Sequence, residues 1–243
     1  MIDIQGLKAG FGKKEILHNI QLHIPADQIT AIVGQSGCGK TTFLKTLNRI
    51  LEDEGGYIQG QILIKDKNIM GMPKEQLCKM VGLVFQQPIA FPFSVRRNLS
   101  YVLKYHNRLT KEQLETRIVE TLKKARLYDE VKEHMNQSAL KLSGGQKQRL
   151  AIARSLCAEP EVLLLDEPCS ALDMKNTIAI EELLLELKKQ YTIMVVTHNL
   201  AQAQRIADSV IFMDQGKVLE MTPKEIFFRE PKTQLAKEQI AYM

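Results

Sequence analysis

No run of apolar residues in this chain approaches the roughly 18 needed to cross a bilayer as a helix. The start, Met1-Ile2-Asp3-Ile4, has neither the basic opening nor the apolar stretch of a secretory leader. Both absences point to a chain that stays in the cytosol. The four cysteines, Cys38, Cys78, Cys157 and Cys169, form no Cys-x-x-Cys pair. That argues against zinc or disulfides and for small buried side chains in a reducing compartment. Charge of one sign is also scarce. A net +5 over 243 residues fits an anionic ligand or a membrane surface and is too weak to argue for nucleic acid as a partner. Internal repeats and low-complexity linkers are missing too, so the chain reads as one large domain or a core with a subdomain.

What is present is ordered by period. Ile16, His18, Ile20, Leu22 and Ile24 alternate as one strand face, with His18 its polar member, and Gln61 to Ile64 form another short strand. Ile29 to Val33 is an apolar run that feeds a glycine-rich loop, followed by a helix from about Lys40 to Ile50. From about Pro88 to Leu140 the composition turns to Lys, Glu, Gln and Leu, with Leu114, Ile118, Leu122 and Ala125 at helical spacing. Beyond it, strands at Val162–Leu165, Thr192–Val196 and Ser209–Met213 alternate with an amphipathic helix over Thr177–Gln190, whose Ile180, Leu183, Leu184 and Leu187 face inward. This alternation predicts an α/β fold with a mostly parallel sheet, preceded by an N-terminal antiparallel β-subdomain and interrupted by an inserted helical subdomain. The expected division is one domain, with an α/β core over 1–87 and 156–243 and the helical insertion over 88–155.

Gly34-Gln35-Ser36-Gly37-Cys38-Gly39-Lys40-Thr41 matches G-x-x-x-x-G-K-[ST] between a strand and a helix, the context a P-loop NTPase requires. Successive backbone N–H groups in such a loop curl around phosphate oxygens, and the helix N-terminus adds positive potential. Lys40 can reach the β- and γ-phosphates, and the Thr41 hydroxyl, beside Thr42, can ligate Mg²⁺. ATP and Mg²⁺ are the expected cofactors. Val162-Leu-Leu-Leu-Asp166-Glu167 is a buried strand ending in two carboxylates. Asp166 suits Mg²⁺ held through water, and Glu167 suits polarisation of an attacking water.

Ser143-Gly144-Gly145-Gln146, before a helix over Lys147–Ala158, is a second helix N-terminus shaped to meet an anion. One chain has no second γ-phosphate to offer it. The segment resembles the signature of ABC ATPases. That resemblance implies a head-to-tail dimer in which Ser143 and Gly145 of one copy complete the ATP site of the other. It also implies roles for Phe11, stacking on adenine where most members have Tyr, and for Gln86, contacting Mg²⁺ and water. Ser170-Ala171-Leu172-Asp173 matches the loop that links the two sites, and His198 the residue that touches the γ-phosphate. The likeness runs from about residue 2 to 225.

A narrower likeness lies in Phe85-Gln86-Gln87-Pro88-Ile89-Ala90-Phe91-Pro92-Phe93-Ser94, followed by Asn98, which is similar to the corresponding segment of phosphate importer ATPases. In that family the segment lines the groove that receives a short helix of the membrane subunit, which places Phe91 and Phe93 in that groove. The resemblance implies two transmembrane permease subunits, an extracytoplasmic solute-binding protein, and a peripheral position on the cytoplasmic face of the cell membrane. Met174 (usually proline), the loop Glu52–Tyr57 and the closing segment Thr233–Tyr242 depart from the family pattern. They leave open another solute, such as polar amino acids. A soluble ABC ATPase of repair or translation is expected to carry a second nucleotide-binding set, a coiled coil or a zinc insertion, none of which is read here.

Overall fold

The computed structural model describes residues 1–241; Tyr242, the end of the divergent closing segment, lies outside them. Two sheets form the frame. The first is antiparallel, in the order β2-β1-β4-β5, from β1 (Ile2–Phe11), β2 (Lys14–Ile24), β4 (Gly56–Ile64) and β5 (Lys67–Asn68). The second is ordered β10-β9-β3-β8-β7-β6, from β3 (Ile29–Val33), β6 (Val81–Val84), β7 (Val162–Asp166), β8 (Thr192–Val196), β9 (Ser209–Asp214) and β10 (Lys217–Pro223). All its neighbours are parallel except β9 and β10. Its central strands β3, β7 and β8 are buried at every position, as their unbroken apolar runs require when both faces are covered.

Helices α1 (Lys40–Thr46), α2 (Ile50–Asp53) and α3 (Lys74–Met80) lie between strands of the first half. Helices α4 (Val95–His106), α5 (Lys111–Lys124) and α6 (Tyr128–Val131) make the insertion, and α7 (Gly144–Leu156) leads back to the sheet. Helix α5 starts at a capping box between Thr110 and Gln113, worth about 1 kcal/mol, and buries Leu114, Ile118 and Leu122. Helix α7 faces two ways. Leu150, Ala153 and Cys157 join the insertion's own core, while Ala151, Ile152 and Leu156 pack on the parallel sheet. Helices α8 (Met174–Leu187), α9 (Leu200–Ile206), α10 (Lys224–Arg229) and α11 (Gln234–Ala241) complete the chain. No described helix is long and apolar enough to cross a membrane.

Three sequence expectations shift. The helix from Lys40 stops at Thr46, because Arg49 adopts a left-handed conformation (φ 59°) that aims its guanidinium at the carbonyls of Ile69 and Met72. The helix read from Thr177 starts three residues earlier, since Asp173 caps it by accepting from the Asn176 N–H at 2.9 Å. This cap does the work that proline often does at a first helical position, and Met174 is left exposed. The β2 alternation breaks at Asn19 (φ 48°): Ile20 and Ile24 are buried, but on the near side of the break Leu17 takes the core, leaving Ile16 and His18 half-buried.

Candidate functional site

Parallel strands gather ligands at their carboxyl ends, and here four adjacent strands do so. The P-loop leaves β3, Thr197-His198 leave β8, Asp166-Glu167 end β7, and Gln86 follows β6. Two backbone bonds carry the sheet one residue further. Glu167 N donates to Val196 O at 2.9 Å and Thr197 N to Ile32 O at 3.1 Å. A cavity of ≈850 Å³ opens there, lined by Ser36–Thr42, Gln86, Glu167 and His198 on one side and by Lys14–Ile16, His18, Gln215 and Gly216 on the other.

The loop's glycines are fixed by space and by backbone angle. A Cβ on Gly34 would stand 2.1 Å from the Met213 carbonyl oxygen, and Gly39, which precedes α1, has φ 105°. Lys40 is buried and folds its ammonium over the loop, donating to Gly34 O at 2.9 Å and Gln35 O at 2.8 Å. A phosphate entering the loop therefore meets a cation already held in place. Thr41 Oγ1 donates to Asp166 Oδ1 at 3.0 Å. Burial pushes the Asp166 carboxyl above its ordinary value; the neighbouring Glu167 adds to this, while Thr41, Lys45 and Lys40 oppose it. Glu167 sits at φ 44°, a conformation that costs a non-glycine residue about 1–2 kcal/mol. The strained turn brings its Oε2 to 3.0 Å from His198 Nδ1 and 3.2 Å from Gln86 Nε2.

Several expected residues lie elsewhere. Gly34 and Gln35 line a neighbouring cavity of ≈440 Å³ with His198 and Asn199. Ser143 and Gln146 form a capping box on α7, with Ser143 N to Gln146 Oε1 at 2.9 Å, and neither lines the large cavity. Glu130 ties this box down: it accepts from Gln146 Nε2 at 3.0 Å and pairs with Arg149 at 2.6 Å. Gly144 packs beside Leu172. A Cβ on Gly145 would stand 2.0 Å from the Asn176 side chain, so this glycine is also a packing requirement between α7 and α8. Asp173 is solvent-exposed, its carboxyl held below the ordinary value by the Asn176 backbone and side chain.

Phe11 is half-buried against the core under the first sheet and does not line the cavity, although Lys14, its cross-strand partner, does. The apolar wall is Ile16, which the alternation grouped on one strand face with Ile20 and Ile24. The turn Asp214-Gln215-Gly216 was missed as well. Gly216 accepts from His18 N and donates to Cys38 O, both at 2.9 Å, and so clamps β2 to the P-loop. Phe11→Ala sets the stacking role that the family likeness implies against this packed position: a rise in KM for ATP and GTP alike by about 5- to 100-fold, the loss of an aromatic platform worth roughly 1–3 kcal/mol, assigns Phe11 to the base. Steady-state kinetics on both nucleotides checks this, and a fall in kcat at constant KM assigns Phe11 to packing.

A phosphate-cradling loop, a strand ending in Asp-Glu and a Ser-Gly-Gly-Gln helix cap on one sheet define an ABC-type nucleotide-binding subunit. The ABC transporter family model matches residues 17–170, and the chain belongs to that family: it is an ATP-binding, ATP-hydrolysing protein. It is 44% identical to the phosphate import ATP-binding protein PstB of Thermotoga maritima, over 99% of this chain and 97% of that one. It is also 44% identical to PstB 3 of Streptococcus pneumoniae TIGR4, over 98% of this chain and 96% of that one. Among solved structures it resembles the ATP-binding cassette MJ0796, described as a dimer in a post-hydrolysis state bound to ADP and Pi (28% identity, TM-score 0.78, 92% of this chain, 99% of that one). It also resembles cbiO1 of Clostridium perfringens, part of the ABC transporter complex cbiONQ (29% identity, TM-score 0.83, 95% and 91%).

Proposed function

We propose that this chain is the ATP-hydrolysing subunit of a phosphate importer, working as a head-to-tail dimer beneath two permease subunits on the cytoplasmic face of the membrane and fed by an extracytoplasmic solute-binding protein. The observation that carries the solute is the 44% identity, over nearly the whole of both chains, to proteins named for phosphate import. In each site the loop amides and Lys40 bind the phosphates. Glu167, oriented by His198 and Gln86, takes the proton of the attacking water. Closure of two copies around two nucleotides moves the helical segment 88–155 against the core, and loss of the γ-phosphate contacts lets them reopen.

The donor set near Thr41 suits Mg²⁺. A hydroxyl and a carboxylate oxygen already meet at 3.0 Å, and burial leaves Asp166 in want of a cation. Thr41 and Asp166 would hold it, with Gln86 beside it. Mg²⁺ bound there would neutralise charge on the β- and γ-phosphates.

The surface around α4 supports a place for the permease contact. Phe91 and Phe93, expected in the groove, are instead half-buried, each beneath a guanidinium, Arg154 at 4.2 Å and Arg97 at 4.3 Å. Buried Asn98 knots this turn, accepting from Phe91 N and donating to Ser94 O. The apolar groups that do face outward are Phe85 (39% exposed), Ile89 (55%), Tyr101 (59%) and Tyr105 (63%). Phe85 shares a cavity of ≈190 Å³ with Val102 and His106 of α4. We assign the permease's coupling segment to this surface. Tyr101→Ala with Tyr105→Ala should leave the purified subunit's ATPase intact, because surface changes of this kind shift stability by only about 0.5 kcal/mol. High-affinity phosphate uptake, lost on gene deletion and restored by the wild-type chain, should not be restored by this variant. Uptake of another solute lost on deletion, with phosphate uptake unchanged, would replace the phosphate assignment.

A further inference from the structure

Helix α8 buries Ile180, Leu183, Leu184 and Leu187, and a carboxylate lies buried among them: Glu181 is 5% exposed. An ionised group this deep is tolerated only when paired and hydrogen-bonded. Glu181 has three donors, all from α9. Arg205 Nε reaches Oε2 at 2.8 Å, Arg205 Nη2 reaches Oε1 at 2.7 Å, and Gln202 Nε2 reaches Oε1 at 3.3 Å.

Both ends of this network lead to the site. On one side, α9 begins directly after His198. Its cap, Asn199, accepts from Gln202 N at 2.9 Å, and Asn199 N donates to Thr197 Oγ1 at 3.0 Å. A shift of Gln202 therefore reaches His198 within one helical turn. On the other side, Gln202 shares a cavity wall with Cys169, whose thiol burial pushes up to about 11 and so keeps neutral. Cys169 opens the loop that ends at Asp173, the cap of α8, and α8 carries Glu181 two turns on. The ring encloses a cavity of ≈230 Å³ lined by Glu167, Cys169, Ser170, Thr177, His198 and Arg205 among others.

We propose that Glu181, Arg205 and Gln202 act as positioning residues that lock His198 to the Ser170–Asp173 loop, so that the γ-phosphate end of one site and the loop facing the partner copy hold a single relative geometry. The proposal rests on the roles given above to His198 and to that loop. A network that merely held α8 to α9 would be replaceable by an apolar pair, because buried ion pairs exchanged for well-packed hydrophobic side chains are often neutral or stabilising. A network that sets geometry is not replaceable in this way. Angstrom-scale misplacement of a catalytic group is enough to lower turnover by as much as about a hundredfold.

The test is the double variant Glu181→Leu, Arg205→Leu, assayed as the full chain for melting temperature, ATP binding and steady-state hydrolysis. The expected result is wild-type melting and KM with kcat lowered by about 10- to 100-fold. Wild-type kcat in a normally melting double variant overturns the proposal. If the double variant melts early, Glu181→Gln decides: it keeps the side chain's size and weakens the Arg205 fork. Assayed well below its melting temperature, lowered kcat at unchanged KM supports the positioning role, and unchanged kcat refutes it. His198→Ala is measured alongside. Wild-type turnover there removes the role of His198 itself, and with it the basis of the proposal, while Glu181 and Arg205 remain paired; the two failures are thus distinguishable.

Discussion

Glu167→Gln lowers ATP turnover by about 10²- to 10⁴-fold, the range expected for loss of a general base, while nucleotide binding survives. The reasons are geometric. Glu167 Oε2 stands at the junction of β7, β8 and β6, within 3.0 Å of His198 Nδ1 and 3.2 Å of Gln86 Nε2, and lines the large cavity on the same side as the P-loop. Glutamine keeps the length and the strained backbone turn but cannot take a proton from water. Lys40 and the loop amides are untouched, so ATP still binds. With hydrolysis blocked, the closed state has no exit, and on a sizing column with ATP the 27.6 kDa subunit should run at twice its mass. Single-turnover hydrolysis and sizing together check this. Near-normal turnover would remove Glu167 from the mechanism.

Ser143→Arg is expected to lower hydrolysis by about 10²- to 10³-fold, the loss typical of removing one preorganised anion-stabilising donor, although the residue lines no part of its own chain's nucleotide cavity. As a helix cap alone Ser143 contributes about 1 kcal/mol, too little for such a loss in a folded protein. An effect of that size would require a second copy, as proposed above. Lys40→Ala, by contrast, weakens ATP binding within its own chain, because a charge-assisted contact worth about 1.5–3 kcal/mol disappears. A mixed dimer of the two mutants places both lesions in one site and leaves the other intact, so hydrolysis is rescued if one intact site suffices. Crosslinking tests the arrangement whether or not rescue occurs. Ser36→Cys should join Lys141→Cys of the other copy in the presence of ATP, in a background where the exposed Cys78 is replaced by Ser. Crosslinks found only within one chain would refute the head-to-tail arrangement.

The chemistry was legible in the sequence because it resides in short contiguous segments whose backbone is the working part. Gly34 to Thr41 is a loop whose positive-φ turns at Gly34, Gly37 and Gly39 call for glycine, and Asp166-Glu167 is where a buried strand must end. The family likeness added residues that no period reveals, such as Gln86 and His198. Less legible were positions set by the far side of the fold. Ile16 reads as sharing a strand face with Ile20 and Ile24 until the left-handed Asn19 moves the strand out of phase, and Ile16 and His18 line the nucleotide cavity. Phe91 and Phe93 read as groove residues from the family likeness; in the fold Arg154 and Arg97 lie over their rings, and Tyr101 and Tyr105 are the more exposed aromatic side chains. The Lys40 helix reads as running to Ile50 until Arg49 is drawn away by the carbonyls of Ile69 and Met72, some twenty residues along the chain.

By itself the sequence determined the alternating α/β architecture, the phosphate loop, the paired carboxylates and the signature cap, because each depends on local backbone freedom, hydrophobic period or a cap within four residues. Only the tertiary structure decided which of these share a site. Gln86, Glu167 and His198 are 81 and 31 residues apart, yet meet within hydrogen-bond distance because β6, β7 and β8 are neighbours in one parallel sheet. The same folding set the Ser143 cap outside its own chain's nucleotide cavity and buried Glu181 against Arg205. Neither outcome could be read from local pattern, because a parallel sheet joins segments through long crossovers and chain spacing says little about which carboxyl ends lie side by side.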